Sequence, residues 1–338
     1  MSTCRSALLV AIIVCVAGAV VLGDVDARVQ TPVKVQTEAV KAIPGITAEN
    51  YPSVNGSTST MPLSHLLALR ALGIRGEFRP ATNAERMFGG PLLRVVPPGG
   101  RIMADPHVLP RHEGTHAAYV SLIAGKSHMI LVARGPSEDE LKAAAEQKVK
   151  LDVRPVALDG FVFLVNVKNP VNTLTMDQIR DIYTGKVKNW KDVGGNDAVI
   201  EAYTRNPNSG SQELMQKLVM HGRKMIDAPH RMLPTMAAPI DSVSRNPNAI
   251  GYSVYYYEHV MNPHPENKLI AVQGVKPSSK TIAGHKYPLT TEVYVVTRKD
   301  QKADSPQARL RNWLLSDEGQ ELVAESRYVP VKSKKKDQ

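Results

Sequence analysis

From about residue 45 onward, hydrophobic positions fall in short blocks separated by polar loops. Apolar runs predict strands at 129–133, 150–157, 161–166, 198–204, 250–254 and 293–297. Helices are predicted at 62–72, 117–124, 138–148, 176–183, 211–220, 306–315 and 317–326. Pro62 suits the first turn of the earliest of these. Ser137 and Glu140 have the spacing of a capping box ahead of another. Strands alternating with helices predict an α/β fold. Residues 74–112 are rich in Pro, Gly and Arg and read as a long irregular excursion.

The ends differ from the body. Ser6 to Gly23 carries no charge, Arg5 precedes it, and Val25-Asp26-Ala27 offers a cut after Ala27. Residues 1–27 therefore read as a signal peptide. The competing reading is an uncleaved anchor, because about 18 apolar residues can just span a bilayer. Residues 28–44 read as a tether, and 332–338, with Lys334-Lys335-Lys336, as a solvated basic tail. The expectation is a periplasmic or otherwise extracytoplasmic protein.

Composition narrows the chemistry. Hydrophobic residues make up 43% and charged residues 22%, which excludes a disordered chain, a collagen and a multi-span membrane protein. Both cysteines, Cys4 and Cys15, precede the body, which has no disulfide, thiolate nucleophile or cysteine-bound metal. The net charge of +10 suits anions or an anionic surface. Few stacking aromatics and export argue against nucleic acid.

Candidate chemistry gathers in three oxygen-rich loops, each ahead of a predicted helix. They are Asn55–Pro62, Gly114-Thr115 and Arg205–Gln212. A helix start has unpaired N–H donors and a partial positive charge, so added hydroxyls make it an anion site. Gly210 lets backbone approach a ligand, and Arg205 offers a two-pronged cation. Ser209 and Gln212 also have capping-box spacing. Plain N-capping explains any one loop alone, but not the arginine.

From about Tyr51 to Val331 the chain resembles the phosphate-binding proteins of bacterial ABC-type phosphate importers. The resemblance is carried by Gly160–Asn166, Leu174–Lys186, Asn189–Gly195, Arg205–Gln212, Ala249–Ser253, Tyr287–Leu289 and Ser316–Gln320. It implies a two-lobed periplasmic-binding-protein-like fold of type II with a two-stranded hinge. Lobe one would take 45–158 plus 255–331, and lobe two 159–254. It implies phosphate held by Ser59, Thr60, Met61, Thr115, Arg205, Ser209, Gly210 and Ser211. No cofactor, metal or catalytic residue is implied. The implied partners are phosphate and a membrane permease, with the protein a monomer. His128 stands where relatives usually carry an Asp that accepts the proton of hydrogen phosphate. A neutral histidine could accept the same proton, a protonated one would donate instead and tolerate sulfate, and the competing reading is a strand residue that points away from any site. Thr291-Glu292 stands where relatives often have Arg.

His112-Glu113-Gly114-Thr115-His116 is a literal H-E-x-x-H, the zinc-peptidase signature. Zinc requires both histidines one turn apart on one helix face. Pro106, Pro110 and Gly114 instead place His112 ahead of the helix. A zinc peptidase, and an exported oxyanion binder in signalling or adhesion, are the alternative functions.

Overall fold

The computed structural model describes residues 40–82, 93–97 and 108–331. The expected signal peptide, most of the tether and the basic tail lie outside the described residues. No helix among the described residues is long and apolar enough to cross a membrane.

In chain order the first strands are β1 (Val54–Gly56), β2 (Glu77–Pro80), β3 (Leu93–Val96), β4 (Met129–Val132), β5 (Leu151–Asn166), β6 (Thr173–Leu174) and β7 (Glu201–Ala202). They are followed by β8 (Thr204–Arg205), β9 (Met232–Leu233), β10 (Ala249–Val254), β11 (Asn267–Leu269), β12 (Ala271–Val272), β13 (Thr290–Arg298) and β14 (Val329–Pro330). The helices are α1 (Met61–Ala71), α2 (Thr115–Ile123), α3 (Glu138–Glu146), α4 (Met176–Thr184) and α5 (Gly210–Leu214). After these come α6 (Ala238–Arg245), α7 (Ser279–Ala283), α8 (Pro306–Leu314) and α9 (Asp317–Glu325). The main sheet runs β1-β4-β13-β5-β10-β7, with β11 and β14 also on β5.

The central strand differs from expectation. Instead of two strands, 151–166 form one, which carries both halves of the sheet. Up to Gly160 it pairs with β13, and from Phe161 it pairs with β10. Every residue from Val156 to Asn166 is buried, as a strand covered on both faces requires. Pro155 lacks an N–H, and the β13 register shifts beside it, between Val293 and Tyr294. At the crossing, Phe161 N–H donates to Leu289 O at 2.8 Å, and the Tyr287 hydroxyl donates to Phe161 O at 2.9 Å. Two chain segments thus pass side by side between the halves, as a two-stranded hinge requires.

Strand pairing also moves a boundary. After β10 the chain touches the first half, where Tyr256 stacks on Tyr328 and donates to Ser326 O at 2.5 Å. It then returns: β11 pairs with residues 164–166 and β12 with β6. Residues 267–272 therefore go with the second half, although 255–331 was assigned to the first lobe.

Other differences are local. The excursion at 74–112 contains an antiparallel ladder of β2 with β3. The strand expected at 198–204 is only β7 and β8. The helix expected at 211–220 begins as α5 and widens into a π-helix over Met215–Met220. Remaining elements match within a few residues, the usual uncertainty of helix ends.

Asp159 sits fully buried beside the crossing. Its Oδ1 accepts from Gly160 N–H at 2.8 Å and Tyr256 N–H at 3.0 Å, while Oδ2 has no partner. Burial lifts this carboxyl to about 7, against the pull of the two N–H donors. A raised acid contributes stability that is complete below its unfolded value of 3.8 and lost as pH rises through about 7. Asp159→Asn should therefore flatten the pH dependence of denaturant stability between pH 5 and 8 by about 2–3 kcal/mol. Equal slopes for variant and parent would refute this charge assignment.

Candidate functional site

Parallel strands β1 and β4 end together, and their C-terminal ends open onto a cavity of about 470 Å³. All three oxygen-rich loops line it.

Gly56 closes β1 against β4. A Cβ there would lie 2.4 Å from Leu131 O, so the approach demands glycine. The chain then enters a 3-10 turn, Thr58–Thr60, that leads into α1. This shifts the expected donors. Thr60 N–H donates to Ser57 O at 3.0 Å, and its hydroxyl serves Ser57 O at 2.9 Å and Leu131 O at 2.8 Å. Met61 N–H donates to Thr58 O. Thr60 and Met61 are thus committed to holding the turn, and neither lines the cavity. Ser57, Thr58 and Ser59 do.

The second loop runs beside β1, with Gly114 N–H donating to Gly56 O at 3.2 Å. Gly114 has φ 96°, which favours glycine. Thr115 Oγ1 then lies 2.6 Å from Ser57 Oγ, which also accepts from Ala133 N–H at 3.0 Å. The two hydroxyls carry two protons and share one contact, so one proton is left for a ligand.

The third loop leaves β8 at Arg205. Ser209 caps α5, accepting from Gln212 N–H at 3.2 Å. The Gln212 side chain does not complete the box: its Oε1 accepts from Arg205 N–H at 3.3 Å and from the Tyr252 hydroxyl. The Tyr252 hydroxyl also accepts from Arg205 N–H at 2.9 Å. Tyr252 belongs to an aromatic cluster with Phe161, Phe163 and Tyr183, which ties the site to the core. Sequence reasoning missed Tyr252 and Ser57, although both stand in segments it singled out. A Cβ on Gly210 would lie 2.6 Å from Thr115 Oγ1, so the tips of α5 and α2 meet with no room for a side chain.

Arg205 is 7% exposed. Its Nε donates to Leu233 O at 2.9 Å, Nη2 to Pro234 O at 3.3 Å and Nη1 to Met236 Sδ at 3.7 Å. Burial, the largest influence, lowers its pKa, and Tyr252 and Tyr257 partly oppose that. No carboxylate forms an ion pair with it among the described residues. Arg134, which follows the cavity-lining Ala133, differs: buried, it reaches both oxygens of buried Glu140 at 2.8 Å. Glu113, an acid of the cavity lining, is engaged by Asn55 Nδ2 at 2.5 Å and lies 3.8 Å from Arg111. The cavity is therefore lined by a desolvated cation that has no ion pair among the described residues, together with helix starts and hydroxyls, which suits an oxyanion.

Ser59, Thr115, Arg205, Ser209, Gly210 and Ser211 are brought together, whereas Thr60, Met61 and His128 are not among the lining residues. His128 precedes β4, and its Nδ1 accepts from Ser53 N–H at 3.1 Å. Ala133 lines the cavity at the other end of that strand, about 16 Å away at strand rise. His128 therefore sits too far from the cavity to set selectivity between phosphate and sulfate. The two histidines of the H-E-x-x-H stretch also part company. His112 precedes α2 and bonds Ser64 Oγ through Nε2 at 2.7 Å, while His116 turns Nδ1 to Glu140 at 3.0 Å. Burial and His65 hold His112 well below the usual imidazole range. No group of three or more metal-ligating side chains occurs among the described residues.

Residues 103–318 match the model of the PBP superfamily domain. The chain belongs to the PBP superfamily. It is 30% identical over 214 residues to the phosphate-binding protein PstS of Staphylococcus epidermidis, an alignment covering 61% of this chain and 65% of that protein. It is 27% identical over 238 residues to PstS of Staphylococcus aureus, covering 68% and 72%. Among solved structures it is similar to a Clostridium perfringens substrate-binding protein assigned to phosphate ABC transport, with phosphate bound. That match has TM-score 0.61 and 26% identity, over 84% of this chain and 100% of that one. An ABC-type phosphate transport receptor from Vibrio cholerae shares the fold at TM-score 0.58 and 24% identity, over 82% and 99%. The PBP-type α/β fold expected from the sequence is thus established.

The Arg134–Glu140 pair braces α3 and the start of α2 beside the cavity, since Glu140 also accepts from Ser137 N–H at 2.9 Å. Glu140→Ala strands a buried guanidinium and should cost about 3–5 kcal/mol of denaturant stability. A loss below about 1 kcal/mol would show that the pair contributes little.

Proposed function

We propose that the protein is an extracytoplasmic solute-binding protein that captures inorganic phosphate between its halves and presents it to the permease of an ABC importer. The observation that carries this reading is Arg205, a buried guanidinium with no ion pair among the described residues, facing three helix starts. The phosphate-bound Clostridium perfringens relative and the staphylococcal phosphate-binding proteins support the choice of anion.

Arg205 balances charge. The N–H groups that open the Thr58–Thr60 turn, α2 and α5 meet phosphate oxygens, together with Thr115 and the hydroxyls of Ser59, Ser209 and Ser211. A dianion leaving water needs donors on all its oxygens, which this many convergent groups can supply. The two crossing segments let the halves open for entry and close around the anion, and the closed form is the one the permease receives. No bond is made or broken, and the protein acts as a monomer.

Calorimetric titration with phosphate, sulfate and zinc tests this. Phosphate should bind and zinc should not. Arg205→Ala should weaken phosphate binding at least about a hundredfold, the scale for removing one partner of a desolvated charge pair. Its circular dichroism should stay unchanged. Retained phosphate affinity in that variant, or stoichiometric zinc in the parent, would sink the proposal.

A further inference from the structure

One feature of the cavity has no role in anion capture. Met236 lines it, half-buried, on the loop between β9 and α6. Two donors point at its sulfur: Arg205 Nη1 at 3.7 Å and Ser211 Oγ at 3.6 Å. A thioether is a weak acceptor, so both donors are poorly satisfied there. Pro234 and Thr235 beside it are exposed, so small solutes reach this loop.

We propose that Met236 is a reversible oxidation site, whose sulfoxide oxygen takes Arg205 Nη1 and Ser211 Oγ as donors and so displaces the anion. The inference rests on the phosphate-binding reading. The oxidant is a peroxide. A sulfur lone pair attacks one peroxide oxygen, the O–O bond breaks, an S–O bond forms, and the proton of the attacked oxygen passes to the second oxygen, which leaves as water. Sulfur loses two electrons and the peroxide gains them. The product is a polar, strongly accepting group where a soft, weak acceptor stood. Because the two donors already converge on the sulfur, an oxygen bonded to it comes within hydrogen-bond reach of both. It also fills part of the cavity. Other methionines nearby lack this consequence. Met232 is 44% exposed but does not line the cavity, and the Met225 sulfur takes the amides of Gln212 and Gln216, both at 3.3 Å.

The test treats the protein with hydrogen peroxide and locates sulfoxide by peptide mass spectrometry. The same sample is titrated with inorganic phosphate before and after treatment. Conversion of Met236 should weaken phosphate binding about tenfold or more, the scale of one hydrogen bond to a charged group. Treatment with both methionine sulfoxide reductases, one for each sulfoxide epimer, should restore it. Whatever its own starting affinity, Met236→Leu should lose the before-and-after difference, whereas Met232→Leu should keep it. Unchanged affinity with Met236 converted overturns the proposal. So does sensitivity that persists in Met236→Leu, or a Met236 that stays reduced while Met232 oxidises. Absence of phosphate binding before any peroxide refutes the functional reading itself and is seen at the first titration.

Discussion

A guanidinium held out of water, with no carboxylate beside it among the described residues, governs this molecule. Its burial is unfavourable alone, since a charge loses hydration that carbonyl oxygens replace only in part. Leu233 O, Pro234 O and the Tyr252 hydroxyl fix the arginine but bring no negative charge. What remains is a positive potential focused into a cavity already edged by helix starts. The aromatic cluster behind Tyr252, the glycine that lets α5 meet α2 and the turn before α1 all serve to keep donors aimed at that one place.

The contrast between the two buried arginines shows how one residue type serves two ends. Arg134 has its charge answered within the protein by Glu140, which also engages Ser137 and His116, so that corner is internally charge-paired. Such a network lends rigidity to the helix start next to the cavity. Arg205 has no such answer among the described residues, which leaves its charge for an anion from solution.

Much of this was legible in the sequence, for identifiable reasons. Strands such as β4 and β10, and helices such as α1 and α8, join apolar pattern with fitting end residues, so local and global preferences agree. Arg205 stood out because capping could not explain it. Thr60 and Met61 differ from expectation because a run of Ser and Thr carries no sign of where a 3-10 turn begins, and a shift of two residues moves a group from the cavity lining into the turn. His128 falls on the side of its second reading, a strand residue away from the site, because a strand has two ends and the C-terminal end of β4 meets the cavity. The expected break in β5 falls on residues 158–160, where the aspartate is buried and the glycine makes room for Ile282, which a Cβ would approach to 3.0 Å. The short strands β7 and β8 depend on partners distant in the chain, which no local window contains.

The unbroken course of β5 through both halves sets the mechanics of any motion between them. A single strand hydrogen-bonded on each side can bend or twist near Gly160, but it cannot lengthen. The halves can therefore rock against each other like a jaw, while sliding past one another would tear the ladder with β13 or with β10. Bending near Gly160 changes the width of the mouth, while the shared strand keeps both walls anchored to one another.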